Sequence, residues 1–140
     1  MVEQAMSAVS GRRILIVEDE YIIAADLAQL LEGLGVTVIG PVGSVADALA
    51  LLAGEPAIDA AVLDVTLGTE KIFPVADALR ARGVPFVFAT GYDAWIIPPA
   101  YADAPRFKKP VDPRALARVL SNYSSGEPEC SSTTVRGRMA

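Results

Sequence analysis

Histidine is missing from all 140 residues, and only one cysteine is present, Cys130. Without histidine the chain cannot build a Ser/His/Asp or Cys/His catalytic set, a histidine-ligated zinc site or a phosphohistidine carrier. A single cysteine cannot form an internal disulfide, which is compatible with a reducing compartment. Any chemistry must therefore come from carboxylates, hydroxyls and amines.

Positive charge is also scarce, because 12 Lys and Arg stand against 17 Asp and Glu, for a net charge of -5. This is the wrong sign for a protein that binds the phosphate backbone of nucleic acids. No run reaches the roughly 18 apolar residues that a membrane-spanning helix needs, and the N-terminus lacks the basic start of a secretion signal. We expect a cytoplasmic protein with neither nucleic acid nor membrane as a partner.

Apolar residues are plentiful, at 52% of the chain, and charged residues make up 21%. Together with the length, this fits one ordinary hydrophobic core. The two ends carry few core-forming residues. We predict a flexible segment at 1–11, a folded domain at 12–123 and a disordered tail at 124–140.

Short apolar runs alternate with stretches of helical periodicity through the middle of the chain. Continuous apolar runs are typical of strands buried on both faces of a parallel sheet. Alternation with right-handed crossovers predicts an α/β fold, a five-stranded parallel sheet in the flavodoxin-like order 2-1-3-4-5 with helices on both faces. The predicted strands are Ile14–Val17, Val36–Ile39, Ala60–Leu63, Pro85–Ala89 and Arg106–Lys108.

The intervals between the runs predict helices with recognisable ends. Ser44 is a predicted cap of the second helix, and Asp112 caps the last helix, with Pro113 at its first position. Pro98 and Pro99 interrupt the interval before the fifth strand, so the fourth helix should be short or irregular. The first helix should bury an apolar face made of Ile23, Leu27, Leu30, Leu31 and Leu34.

Polar side chains stand where the predicted strands end, and ligands bind at the carboxyl ends of parallel strands. Crowded carboxylates favour a hard divalent cation such as Mg2+, which commonly joins them to a phosphate. Asp64 is then a carboxylate nucleophile for phosphoryl transfer, with Thr90 and Lys109 stabilising the phosphoryl oxygens. Alternation along the last strand favours Lys109 over Lys108. The strand-end residues are Glu18, Asp19, Glu20, Asp64, Thr90 and Lys109.

This arrangement resembles the receiver domain of two-component response regulators, over residues 12–123. The receiver pattern has an acidic pair after strand one, an Asp ending strand three, a Thr or Ser ending strand four and a Lys-Pro after strand five. The resemblance implies that Asp64 accepts a phosphoryl group from a sensor histidine kinase, and that the chain is a signalling domain rather than an enzyme. It further implies Mg2+ ligation by Asp19, Asp64 and the Thr66 carbonyl, with Glu18 acting through a bound water.

Residues 85–92 also match the Pro-Phe-x-Phe-Ala-Thr-Gly-Tyr pattern of the FATGUY receivers. These receivers are often stand-alone domains of alphaproteobacteria, served by kinases of the HWE and HisKA2 families, and several act in general stress signalling. The resemblance implies a kinase of this class as partner, with a phosphotransferase or a downstream signalling protein as a further partner.

Two positions depart from the common receiver pattern. Gly68 stands where many receivers have a proline, and Arg106 stands where many have a switching aromatic residue, with Phe107 next to it. Signal transmission is therefore expected to use other residues in this region, with Tyr92 or the proline-interrupted segment as candidates. Trp95 is a candidate for an exposed docking patch or for part of the core.

Three other functions are compatible with parts of the sequence. A Mg2+-dependent phosphatase or phosphotransferase could use the Asp64 nucleophile, although the haloacid dehalogenase type has a second Asp where this chain has Thr66. A flavodoxin or dinucleotide-binding protein would need a Gly- or Ser/Thr-rich loop after strand one, where this chain is acidic. A receiver-like scaffold that is never phosphorylated is the third alternative.

Overall fold

The computed structural model describes residues 9–54, 57–67, 70–91, 97–109 and 111–121. Its central sheet has five parallel strands in the spatial order β2-β1-β3-β4-β5. This is the predicted order 2-1-3-4-5, and the predicted α/β fold is confirmed. The strands are β1 (Arg13–Val17), β2 (Thr37–Val42), β3 (Ala60–Asp64), β4 (Phe86–Thr90) and β5 (Arg106–Lys108).

In the described part of the chain, the two faces of the sheet are covered by the helices α1 (Tyr21–Gly33), α2 (Val45–Gly54), α3 (Phe73–Ala81) and α4 (Pro113–Ser121). Alternating residues of each strand point to opposite faces. Ile14 and Ile16 of β1 pack in a core cluster with Leu27, Ala28 and Leu31 of α1 and with buried residues of α4. Leu15 and Val17 pack in the second cluster, with α2 and α3. Each face of the sheet therefore has its own hydrophobic core.

The predicted caps are present at two helix starts. The hydroxyl oxygen of Ser44 accepts a hydrogen bond from the Asp47 backbone N–H at 3.1 Å. The Asp112 carboxylate accepts one from the Arg114 N–H at 3.0 Å. Both side chains satisfy backbone donors that have no partner inside a helix.

The connection between β4 and β5 is irregular over its described part, as predicted. Residues Pro99–Tyr101 form a single 3-10 turn, and Ile97 and Ala104 on either side are buried. Tyr92 and Trp95 lie outside the described residues, as does Gly68. A second feature was not predicted: Thr66–Leu67 and Glu70–Lys71 form a short antiparallel hairpin directly after β3.

Strand β2 runs further than the predicted Val36–Ile39. The pairing with β1 shifts between Ile39 and Val42, because Gly40 and Pro41 form a bulge there. Gly40 has a φ of +90°, which a residue with a side chain rarely adopts. The bulge brings the Val42 carbonyl to the Glu18 backbone N–H at 2.9 Å, so it helps to place the residues after β1.

The core begins upstream of the predicted domain start at Arg12. The segment 1–11 is predicted to be flexible, but Val9 is fully buried in the cluster with Ile14. The Gly11 N–H also donates to the Gly35 carbonyl at 2.8 Å. Val9 is therefore part of this core, while Ser10 and Gly11 are exposed. Residues 1–8 and the predicted tail at 124–140, with Cys130, lie outside the described residues.

Among the residues that the structure describes, no helix is long and apolar enough to span a membrane.

Candidate functional site

The polar residues predicted from the sequence meet at one edge of the sheet. The carboxyl ends of parallel strands lie at the same edge, so residues that follow neighbouring strands become neighbours in space. Glu18 and Asp19 follow β1, Asp64 ends β3, Thr90 ends β4 and Lys109 follows β5. β3 lies between β1 and β4, which places Asp64 at the centre.

Lys109 joins two of the carboxylates. Its ammonium nitrogen Nζ lies 3.0 Å from Glu18 Oε1 and 3.0 Å from Asp64 Oδ2. Its backbone N–H donates to the Thr90 carbonyl at 2.8 Å, which fixes the chain where β5 ends. Lys108 is exposed, so Lys109 is the lysine that faces the carboxylates.

Three carboxylates form a cluster suited to a divalent cation. Oxygen atoms of Glu18, Asp19 and Asp64 all lie within 4.8 Å of one another. Glu18 and Asp64 are buried and Asp19 is exposed, so the cluster is open on one side. Three ionised carboxylates outnumber the one positive charge of Lys109, which pairs with Glu18 and Asp64. Hard oxygen ligands and excess negative charge fit Mg2+, which usually retains several waters.

Burial dominates the electrostatics of Asp64. Burial, followed by the hydrogen bond and charge of Glu18, raises the pKa of Asp64 to about 7, although Lys109 acts in the opposite direction. Burial alone would lower the pKa of Lys109, but its hydrogen bonds and charge interactions with Glu18 and Asp64 outweigh this and raise the pKa. The lysine therefore stays protonated beside a carboxylate that is costly to ionise.

Thr90 and Thr66 are the two threonines predicted to belong to this site. Thr90 is buried at the end of β4, in register with Lys108 of β5. Thr66 lies two residues after Asp64, and its backbone pairs with Lys71 in the hairpin. The ligand role of the Thr66 carbonyl remains a prediction.

A cavity of about 410 Å³ opens beside Asp64 and Lys109. Residues of α1 line it, and so does Val111, which lies between β5 and α4. The cavity was not predicted from the sequence. Ile23 and Leu30 belong to the predicted buried face of α1, but both line this cavity and are partly exposed. The periodicity of α1 identifies its apolar face but cannot show that the sheet leaves part of this face uncovered.

Of the predicted switch residues, the structure describes two. Arg106 is exposed, and Phe107 is half-buried against the core on the α1 and α4 face. Their roles in switching remain predictions.

Known proteins are similar to this chain in sequence and in fold. No protein-family model matches the chain. The phyllosphere-induced regulator PhyR of Methylorubrum extorquens is 32% identical over 123 residues, which cover 83% of this chain. The chain spans 45% of the length of that relative.

The solution structure of SdrG from Sphingomonas melonis Fr1 is 46% identical, with a TM-score of 0.69, and the match covers 83% of this chain and 98% of SdrG. A BeF3-activated conformation of SdrG, from Pseudomonas melonis Fr1, is 48% identical with a TM-score of 0.64, covering 77% of this chain and 95% of that one. Structural neighbours of this kind are receiver domains of response regulators. With an aspartate ending β3, a lysine paired to it and a match that covers 98% of SdrG, the chain belongs to the response regulator receiver family.

Proposed function

We propose that this chain is a phosphoacceptor that takes a phosphoryl group from a sensor histidine kinase onto Asp64 in a Mg2+-dependent reaction. The observation that carries the proposal is the contact of Asp64 with Lys109 at 3.0 Å inside a cluster of three carboxylates. A nucleophile, a fixed positive charge and a set of metal ligands are the parts that phosphoryl transfer needs.

The transfer exchanges one bond for another. An Asp64 oxygen forms a bond to phosphorus, the phosphorus–nitrogen bond of a phosphohistidine breaks, and its electron pair leaves with the imidazole. These 140 residues contain no histidine, so the phosphohistidine donor lies outside them. Lys109 offsets the charge that gathers on the phosphoryl oxygens, and Thr90 offers a hydroxyl donor to one of them.

Glu18, Asp19 and Asp64 are the residues that would hold Mg2+, with the Thr66 carbonyl as a further ligand. A bound Mg2+ supplies positive charge that offsets the repulsion between the carboxylates and an incoming phosphoryl group. Asp19 is the exposed member of the cluster, so the site would be open to solvent water on the side of Asp19.

The direct test is phosphorylation by acetyl phosphate, which needs no kinase. We expect the intact protein to gain the mass of one phosphoryl group in the presence of Mg2+, and EDTA to prevent the gain. Asp64→Asn should abolish it. Asp26→Asn is the matched control, since Asp26 is an exposed aspartate that lines the same cavity but lies outside the carboxylate cluster. Equal phosphorylation of Asp64→Asn and the wild type would refute the assignment.

Exposed apolar side chains next to the site support docking of a protein partner. Tyr21 and Ile22 begin α1 immediately after the acidic residues and are 83% and 73% exposed. Large apolar side chains at this level of exposure commonly mark interaction sites when they are clustered. We propose that a kinase of the HWE or HisKA2 class docks here.

The kinase proposal is tested by comparing two phosphoryl donors. Ile22→Ser should slow phosphorylation by purified HWE and HisKA2 kinases and leave the rate with acetyl phosphate unchanged. Leu49 is an exposed leucine on α2, and Leu49→Ser is the control that should leave both rates unchanged. A loss with both donors would show damage to the site, and no loss with either would place the kinase elsewhere.

The output is proposed to be general stress signalling through partner binding or through phosphate flow, in line with the similarity to PhyR and SdrG. Two alternatives are separated by simple measurements. Turnover of small phosphate esters would identify a phosphatase. Absence of phosphorylation with every donor would identify a receiver-like scaffold.

A further inference from the structure

The position where many receivers carry a switching aromatic residue is not aromatic in this chain. Arg106 stands there and is exposed. The neighbouring Phe107 packs on the α1 and α4 face of the sheet. Thr90 extends the series Phe86 and Phe88, which pack on the opposite face, with α2 and α3. Neither residue at 106–107 therefore shares a core with Thr90.

A different aromatic residue occupies that core. Tyr101, in the turn between β4 and β5, is 7% exposed. Its ring stacks on Phe73 at 5.1 Å between centroids and 19° between planes, and meets Phe88 edge to face at 6.0 Å. Phe73 and Phe88 also contact each other at 6.0 Å. We call these three rings the aromatic cluster.

Each ring that contacts Tyr101 is connected to the candidate site by a short stretch of chain. Phe88 lies two residues before Thr90 in β4. Phe73 begins α3, directly after the hairpin that follows Asp64. The backbone N–H of Ile72 donates to the carbonyl of Val65 at 3.3 Å, which ties the start of α3 to the residue after Asp64. Two connections from the site thus converge on Tyr101.

The outer side of Tyr101 is held by α3. Its hydroxyl donates to the Asp77 carboxylate. The Arg80 guanidinium lies 5.1 Å from the Tyr101 ring and donates to the Ala100 carbonyl at 2.8 Å and to Asp103 at 2.5 Å. These contacts attach Ala100, Tyr101 and Asp103 to α3. We therefore expect a displacement of the Tyr101 ring to displace the turn as well.

We infer that Tyr101 is the positioning residue that passes the state of Asp64 to the turn between β4 and β5, in place of an aromatic residue at position 106. The inference rests on the proposed phosphorylation. Close-packed interiors transmit small displacements, because neighbouring side chains have no free volume into which to relax. Displacement of Thr90 or of the hairpin changes the packing of Phe88 or Phe73, and Tyr101 contacts both.

The test uses beryllofluoride with Mg2+ as the phosphoryl mimic and backbone amide NMR as the readout. In the wild type, we expect the amide signals of Thr90 and of Ala102–Ala104 to shift together. In Tyr101→Leu the Thr90 shift should persist, while the Ala102–Ala104 shifts fall roughly threefold or more. Tyr101→Phe keeps the ring and should restore most of the response.

Phe107→Leu is the matched control, because it removes an aromatic ring from the opposite face and should preserve both responses. Phe73→Leu removes the ring stacked on Tyr101, so it should also keep the Thr90 shift and reduce the Ala102–Ala104 shifts. It replaces Tyr101→Leu in the test if that variant does not fold. Undiminished Ala102–Ala104 shifts in these variants, or an equal loss in Phe107→Leu, would overturn the inference. A wild type without any response at Thr90 would instead overturn the proposed function, and this inference with it.

Discussion

At the scale of single residues, Asp64 combines two properties that oppose each other. It must ionise to act as a nucleophile, yet burial and the neighbouring Glu18 raise its pKa to about 7. A raised carboxyl pKa means that the folded protein binds the proton more tightly than the unfolded chain does. The stability that this proton provides is fully present below pH 4 and is lost as the pH rises through 7.

Asp64→Asn should therefore be more stable than the wild type at pH 8 in EDTA, and the advantage should shrink on acidification towards pH 4. We expect an advantage of about 2 kcal/mol at pH 8, less than the pKa shift alone implies, because solvent in the open cavity screens part of the charge. Urea unfolding of both proteins across this pH range measures the difference. A difference that does not change with pH would contradict the role of the Asp64 charge.

Lys109 allows a second comparison at this scale. Lys109→Met should slow phosphorylation by acetyl phosphate about 100-fold or more, since loss of one charged donor to a reacting oxyanion typically costs this much. Lys108→Met changes the neighbouring exposed lysine and should have little effect. Rates from intact-protein mass spectrometry give both values. Similar rates for the two variants would show that the contacts of Lys109 at 3.0 Å do not contribute to the reaction.

At the scale of elements, the bulge in β2 supports the residues that follow β1. A Cβ atom at Gly40 would lie 2.9 Å from the Val42 nitrogen and 3.2 Å from the Ile16 oxygen, at a φ of +90°. Gly40→Ala should therefore destabilise the fold by about 1–3 kcal/mol. Gly33, at the end of α1, has no atom within 4 Å of a built Cβ, so Gly33→Ala should be neutral or stabilising. Chemical denaturation of both variants checks the prediction, and equal effects would contradict it.

The regular elements were predictable from sequence because their signals are long. The apolar runs that form β1, β3 and β4 and the caps Ser44 and Asp112 are local features, and the strand order followed from general rules of connection. The hairpin after β3 was missed because strands of two residues have no periodicity to detect. The extension of β2 was missed because Gly40 and Pro41 ordinarily end a strand.

Some features of the candidate site were predictable from sequence and others were not. Glu18, Asp64 and Lys109 could be placed together because each stands at the end of a predicted strand. The cavity beside them depends on how far α1 lies from the sheet, which no local pattern encodes. The aromatic cluster was missed for the same reason, since Phe73, Phe88 and Tyr101 belong to three separate elements.

At the scale of the whole molecule, a bound cation should stabilise the fold. A ligand that binds only the folded state adds about 2.7 kcal/mol at a hundred times its dissociation constant. We expect Mg2+ to raise the melting temperature of the wild type in a concentration-dependent way. Asp19→Asn should reduce the rise in melting temperature. Asp47 is an exposed aspartate on α2, so Asp47→Asn should preserve the rise. An unchanged melting temperature at millimolar Mg2+ would contradict the proposed metal site.

The close approach of Glu18 and Asp64 has a consequence for the lifetime of the protein. A chain selected for folding alone would place neutral side chains at these two strand ends, because repulsion between buried carboxylates opposes folding. Under the proposed metal binding, loss of Mg2+ increases the fraction of unfolded chains. Cellular proteases degrade the unfolded fraction, so magnesium starvation should shorten the half-life of this protein and lower its abundance.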